Sequence, residues 1–191
     1  MKHVALIVTS ICHCATAQET LRVQDTVAAL RRIGWSVDVL TPSVNPILSA
    51  TLDPDVRVFT VPRLPFKRLM LFLRGVALAA RRDYMVLHGF DEGAGIARAI
   101  DRVAVKRRAC IAEVHHPEKV GGTTIARAAA VIVPDEPTLA DFREPPPKAR
   151  VSILPDPHAE LADNAFTAAE FASALDGIYT YVLRTHPEIE K

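Results

Sequence analysis

Short apolar segments alternate with segments of helical periodicity, and this alternation constrains the fold more than any other feature. Seven segments rich in Val, Ile and Leu are each predicted to form a strand: 3–9, 35–42, 56–62, 83–90, 109–116, 128–136 and 149–157. Strands separated by helices pair in parallel through right-handed crossovers, with helices on both faces of the sheet. The sequence therefore predicts an α/β fold, a single Rossmann-like domain with a mostly parallel sheet of about seven strands.

The first and last helices show which of their sides face the sheet. In the helix predicted at 17–34, the apolar pattern turns Leu21, Val27, Ala28 and Leu30 inward, and Gly34 ends the helix. The helix predicted at 167–186 carries an apolar stripe of Phe171, Leu175, Ile178, Tyr179 and Val182. We predict a domain over 1–158 and, within 159–191, a C-terminal helix that packs back on it.

Composition narrows the class of protein. Apolar residues make up 49% of the chain, which is enough for a sizeable core, and the net charge of +1 does not point to nucleic acid as a partner. Three cysteines do not make a disulfide framework and suit a reduced, cytoplasmic protein. The longest apolar run, LMLFLRGVALAA at 69–80, contains Arg74 and is too short to span a bilayer.

The segment TSICHCATAQET at 9–20 raises the question of a metal or thiol site, because Cys12, His13 and Cys14 stand side by side. With His115 or His116 the two cysteines could bind a soft metal. The spacing is not that of a common zinc site and lacks a Cys-x-x-Cys motif. We therefore interpret the segment as a strand-to-helix loop and expect no metal, with Cys12 and Cys14 as the alternative ligands.

The order of these segments resembles the N-terminal, acceptor-side domain of GT-B glycosyltransferases, especially the retaining family 4. The matching stretches are TAQETLRVQDTVAALRRIGWSVDVLTP, YMVLHGFDEG, IAEVHHPEK, ARAAAVIVPDEPTLADF and KARVSILPDPHAEL. Together they cover about residues 3 to 158. The resemblance implies a Rossmann-like domain whose ligands bind at the carboxyl ends of the strands.

The resemblance also assigns candidate site residues. His115, the candidate catalytic residue, would line the cleft and make a polar contact to a sugar, with His116 as its neighbour in register. Thr16 and Ala17 stand where the family has two glycines, and Glu19 stands where it has a glutamate. Glycine lets a backbone approach a ligand closely, so this departure puts that approach in question.

The fourth predicted strand is followed by further candidates for substrate binding. His88, Asp91 and Glu92 could bind hydroxyl groups of an acceptor. For Asp91 the favoured alternative is a helix cap, and Glu92 suits a first helical turn because it faces the positive end of the helix dipole.

A second departure from the family's pattern is the expected lack of its donor domain. The family's donor domain, with its Glu-x7-Glu motif, has no counterpart after Pro157, and FTAAEFASALDGIYTYVL resembles the family's closing helix. We expect a truncated, single-domain glycosyltransferase-like protein, inactive alone or dependent on a donor-domain partner or a homodimer. A nucleotide-sugar is the expected substrate, and no cofactor is expected. The alternatives are a non-catalytic binding module or a thiol or metal-binding protein.

The stretch from Arg57 to Arg82 is basic and contains no acidic residue. Its arginines and lysine are interleaved with Leu69, Leu71, Phe72 and Leu73. Such a helix could make peripheral contact with an anionic membrane. The alternative is a helix that packs its apolar side on the sheet and leaves its charges in water.

Overall fold

One parallel sheet organises the chain. The computed structural model describes residues 3–9, 17–42, 52–62, 65–144, 146–147, 150–157 and 166–189. The strands are β1 (Val4–Thr9), β2 (Ser36–Thr41), β3 (Arg57–Thr60), β4 (Val86–Phe90), β5 (Ala109–Glu113), β6 (Ala130–Val133) and β7 (Val151–Ile153). They lie in the order β3-β2-β1-β4-β5-β6-β7, and every neighbouring pair is parallel. The predicted seven-stranded α/β fold is confirmed.

Helices cover both faces of this sheet. Within the described residues they are α1 (Ala17–Arg32), α2 (Lys67–Arg81), α3 (Glu92–Val103), α4 (Gly122–Arg127), α5 (Glu136–Ala140) and α6 (Ala168–Thr185). Short 3₁₀ turns lie at Pro117–Lys119 and Pro187–Ile189. None of the helices in this part of the chain is long and apolar enough to cross a membrane.

The central strand β1 is buried from both sides. Ala5 and Ile7 join the core under α1 and α6, whereas Leu6 and Val8 join the core under α2 and α3. Successive side chains of a strand point to opposite faces, so a run that is apolar throughout marks a strand covered on both faces. The segment VALIV within HVALIVT has this property, which is why the first strand was predictable.

The inward face of α1 differs from its prediction. Val27 and Leu30 are buried as expected, but Leu21 is exposed and Ala28 also faces solvent. Arg22 is buried in their place, with 1% exposure. Apolar periodicity could not find this face, because a charged side chain enters the core only when it is paired there. At the other end Gly34 has φ +90° and ends the helix as predicted.

The helix α6 lies on the same sheet face as α1. Its predicted stripe of Phe171, Leu175, Ile178, Tyr179 and Val182 is buried throughout. Thr167 and Glu170 form a capping box that starts the helix, each side chain bonding to the other residue's backbone N–H. The division into 1–158 and 159–191 stays a prediction.

Two glycines let α3 approach the ends of β1 and β4. A Cβ on Gly89 would lie 2.3 Å from the Cα of Ala94, and a Cβ on Gly93 would lie 2.2 Å from the backbone oxygen of Val8. Both clashes involve backbone, which cannot move aside as a flexible side chain can. The sequence HGFDEG therefore fixes how closely the helix start sits on the carboxyl edge of the sheet.

We expect Gly93→Ala to lower the free energy of unfolding by about 1–3 kcal/mol, because the added methyl group meets the Val8 carbonyl. Gly177→Ala in α6 is the matched control, since a Cβ there meets nothing within 4 Å. It should raise stability by about 0.5–1 kcal/mol through helix propensity. Urea unfolding measures both changes, and equal effects would contradict this account of the α3 contact.

Candidate functional site

A buried carboxylate lies at the carboxyl edge of the sheet. Glu113, the last residue of β5, has no exposed surface. Its Oε1 lies 2.5 Å from Nε of Arg22 and 3.2 Å from Nε2 of His115, and its Oε2 lies 3.0 Å from Nε2 of His88. Burial on its own raises the pKa of this carboxyl, but Arg22 and the two histidines outweigh burial and hold the pKa well below its usual range. Glu113 is therefore an ionised group inside the protein.

Arg22 ties this carboxylate to the end of β7 and to α6. Its Nη1 donates to the Pro155 carbonyl at 2.9 Å and lies 3.1 Å from Oδ1 of Asp156, and its Nη2 donates to the Leu154 carbonyl at 2.9 Å. The guanidinium carbon lies 4.5 Å from the centre of the Phe171 ring. A buried guanidinium needs such a full set of acceptors, because an unpaired buried charge is costly.

His88 connects Glu113 to the C-terminal helix. Its Nδ1 lies 2.9 Å from the hydroxyl of Tyr179, whose ring makes an edge contact with Trp35. The His88 ring also stacks on Phe90, with centroids 5.0 Å apart. His88 is fully buried and both ring nitrogens face protein groups. It therefore supports the site from beneath and does not lie on its surface.

His115 is the candidate that reaches the surface above this network. Its side chain is 16% exposed. Burial lowers the pKa of His115, but the hydrogen bond to Glu113 and the nearby charges of Glu113 and Asp91 outweigh burial, so the pKa lies above its usual value. The bond to Glu113 occupies Nε2, which leaves Nδ1 as the polar atom available to a ligand. A protonated His115 would donate from Nδ1.

Asp91 holds the loop that carries both histidines. Its Oδ1 accepts the backbone N–H of His115 and of His116, each at 2.9 Å, and its own N–H donates to the Glu113 carbonyl at 2.8 Å. Burial raises the pKa of Asp91, although these N–H bonds oppose the rise. The predicted capping role is wrong: Asp91 precedes α3, but its side chain makes no capping hydrogen bond to that helix. Its carboxylate instead accepts hydrogen bonds from the loop after β5.

Three further candidates form the outer part of this site. Glu92, the first residue of α3, pairs with Arg68 of α2 at 2.6 Å. His116 Nε2 lies 3.4 Å from Oε1 of Glu19 in the first turn of α1, and its Nδ1 lies 3.5 Å from Oε1 of Glu118. The fold thus brings polar groups from three separate segments to one edge of the sheet.

Metal-ligating atoms also meet at this edge. Glu19, Asp91 and His116 each offer one such atom, and these atoms lie within 4.8 Å of one another. Carboxylate oxygens with one imidazole suit a divalent cation. The remaining cysteine, Cys110, is buried, and burial raises the pKa of its thiol to about 12, so it is not a reactive thiolate.

Some predicted residues cannot be placed on this site. Cys12, His13, Cys14 and Thr16 lie outside the described residues. Ala17 is the first residue of α1. The metal or thiol interpretation of 9–20 and the roles of Thr16 and Ala17 therefore stay predictions.

Sequence reasoning missed the residues that hold the site together, which are Arg22, Glu113 and Tyr179. A weak signal existed for two of them. Glu113 closes the strand ACIAE, and Arg22 stands between Leu21 and Val23 in a helix that had to face the core. Neither position indicates that the two side chains form an ion pair, because the residues are 91 positions apart in the sequence.

Comparisons with known proteins identify the fold. No family model matches the sequence, and no curated protein matches it significantly. Among solved structures, HepE from Anabaena in complex with UDP-glucose has a TM-score of 0.58 at 15% identity and aligns over 80% of this chain and 43% of its own. Sucrose-phosphate synthase from Thermosynechococcus elongatus has a TM-score of 0.57 at 15% identity and aligns over 81% of this chain and 48% of its own. MurG from Acinetobacter baumannii has a TM-score of 0.55 at 15% identity and aligns over 86% of this chain and 50% of its own.

The fold is that of about half a GT-B glycosyltransferase. The chain spans half or less of the length of each of these three proteins. At 15% identity the likeness concerns the fold, and it confirms the architecture that the sequence motifs predicted.

Removing one member of the buried ion pair tests the network. We expect Arg22→Leu to lower the free energy of unfolding by about 3–5 kcal/mol, because Glu113 would stay buried without its main counter-charge. Arg32→Leu is the control, since it makes the same substitution at an exposed position of the same helix, and it should change stability by less than about 0.5 kcal/mol. Urea unfolding compares the two, and similar losses would argue against a structural role for the buried pair.

Proposed function

We propose that this chain is the acceptor-side half of a GT-B glycosyltransferase of the family 4 type, which uses a nucleotide-sugar together with a donor domain on a separate chain or a second copy. The observation that carries this proposal is the placement of His115. Glu113 holds it at the carboxyl edge of a parallel sheet that has a glycosyltransferase fold. Ligands of open α/β sheets bind at this edge.

The chemistry of the edge suits binding of a sugar or a sugar phosphate. His115, His116, Asp91, Glu92 and Glu19 present imidazole and carboxylate groups, which recognise hydroxyls through hydrogen bonds. His115 has a raised pKa and its Nε2 faces Glu113, so Nδ1 would donate to a sugar oxygen or to the diphosphate of the donor. Its proposed role is therefore polar contact and charge stabilisation, and not proton abstraction.

A donor domain is part of this proposal because the chain aligns with half or less of each of these glycosyltransferases. HepE, sucrose-phosphate synthase and MurG each extend well beyond the part that aligns with this chain. In the family that the sequence resembles, transfer takes place between two domains. We propose that a donor domain, on another chain or on a second copy, completes the site. The three cysteines, which do not make a disulfide framework, support the further proposal that the protein acts in the cytoplasm.

A titration with UDP-glucose, UDP and glucose, read by melting temperature, tests ligand binding at this edge. A ligand that binds only the folded state raises the melting temperature. We expect UDP-glucose to raise it, and His115→Ala to reduce the shift by more than half. His186→Ala is the control, because His186 ends α6 and contacts Thr185 and Val182.

Two outcomes would contradict parts of this proposal. If no sugar or nucleotide-sugar shifts the melting temperature, the ligand-binding role fails and a non-catalytic interaction module is favoured. If the chain alone transfers glucose from UDP-glucose, the requirement for a partner fails.

Exposed apolar residues on α2 favour a second property, peripheral contact with an anionic membrane. Phe66, Leu69 and Leu73 are exposed by 69%, 53% and 51% and follow a helical spacing of three and four residues. Not all of the basic stretch is available, because Arg57 and Arg82 pair with the buried Asp38 and Arg68 pairs with Glu92. Among the described residues, Arg74 and Arg81 are exposed and form no ion pair. Together with the apolar stripe they resemble an interfacial helix, and we propose that α2 lies against the membrane.

Co-sedimentation with vesicles tests this contact. We expect the protein to bind vesicles that contain phosphatidylserine more strongly than vesicles of phosphatidylcholine alone, and Leu69→Ser with Leu73→Ser to remove most of the binding. Tyr181→Ser on α6 is the control, since Tyr181 is also exposed, by 42%, but lies on the opposite sheet face. Equal binding by the α2 variant and the control would overturn the proposed membrane face.

A further inference from the structure

Arginines surround two adjoining cavities between α3, α4 and the segment after α3. One cavity of 310 Å³ is lined by Gly95, Arg98, Ala99, Arg102, Thr123, Thr124 and Arg127. The other, of 340 Å³, is lined by Arg98, Asp101, Arg102, Ala104, Arg107 and Arg127. The cavities share Arg98, Arg102 and Arg127, so they form one groove, which we call the arginine groove. It shares no residue with the edge that carries His115.

The charge of the arginine groove is not balanced by its own residues. Asp101 is its one acidic residue, and that carboxylate is buried, paired with Arg98 at 2.5 Å and hydrogen-bonded to the backbone N–H of Arg108. Within the described part of the chain, Arg102, Arg107 and Arg127 form no ion pair, and all three are exposed. Like charges gathered in one concavity repel each other and attract an anion.

The floor of the groove leaves room for that anion. Gly95, Arg98, Ala99 and Arg102 follow one face of α3 at helical spacing, opposite the face that Ile96 and Ile100 bury in the core. Gly95 and Ala99 have small side chains, and the nearest atom to a Cβ on Gly95 would be the Thr124 hydroxyl at 3.9 Å. Guanidinium groups therefore line the groove above a floor of small residues and one threonine hydroxyl.

From this combination we infer that the arginine groove is a binding site for a phosphorylated small molecule with two or more phosphate charges. A guanidinium presents paired N–H donors whose geometry matches two phosphate oxygens, and the hydroxyls of Thr123 and Thr124 add further donors. Three uncompensated arginines suit a diphosphate better than a single carboxylate. This inference does not rest on the proposed glycosyltransferase function.

Isothermal titration with inorganic pyrophosphate at constant ionic strength, with potassium chloride as the reference salt, tests the groove. We expect saturable binding by the wild-type chain, weakened about tenfold or more in Arg102→Ala and in Arg127→Ala, because each loses a charge-assisted contact. Arg184→Ala is the matched control, since it removes the same charge from an exposed position on α6, on the other sheet face. It should bind as the wild type does.

Arg102→Lys and vesicles of phosphatidic acid provide a second readout. Lysine keeps the charge but loses the forked geometry, so partial loss of pyrophosphate binding supports phosphate recognition. Arg102 is exposed, so this substitution should leave the fold intact. Absence of pyrophosphate binding, or equal weakening in Arg184→Ala, would overturn the inference. If Arg127→Ala removes binding to phosphatidic acid vesicles while pyrophosphate never binds, a lipid headgroup is the ligand and the small-molecule assignment is wrong.

Discussion

The buried pair between Arg22 and Glu113 is the interaction on which the rest of the structure depends. An ionised carboxylate inside a protein is tolerated only with a counter-charge and hydrogen bonds. Meeting this requirement draws together α1, the ends of β5 and β7, and, through His88 and Tyr179, the C-terminal helix. The same carboxylate holds His115, so stability and the candidate site share one group.

Backbone geometry completes the site from the other side. Gly89 and Gly93 let the start of α3 sit against β1 and β4, and Asp91, which has φ +45°, turns its carboxylate to two backbone N–H groups of the histidine loop. Such a conformation is costly for a residue other than glycine and persists when its surroundings fix it. The two N–H bonds are what fix it here, so the loop after β5 and the start of α3 stabilise each other.

The arginines of this chain serve distinct purposes that composition alone does not separate. Arg22 is buried in the core, Arg57 and Arg82 neutralise the buried Asp38, and Arg102 and Arg127 remain exposed around a groove. A net charge of +1 conceals this distribution. Local imbalance of charge, rather than the total, therefore indicates where an anion would bind.

The sequence by itself determined the parallel seven-stranded sheet, the buried stripe of α6, the end of α1 at Gly34 and the edge at which His115 lies. Each of these depends on local periodicity, on glycine or on the rule that ligands bind at strand ends. Only the tertiary structure decided that Arg22 enters the core, that Asp91 holds a loop instead of capping α3, and that Tyr179 reaches His88. The physical reason is that pairing of buried charges depends on which distant segments meet, and no short window of sequence contains that information.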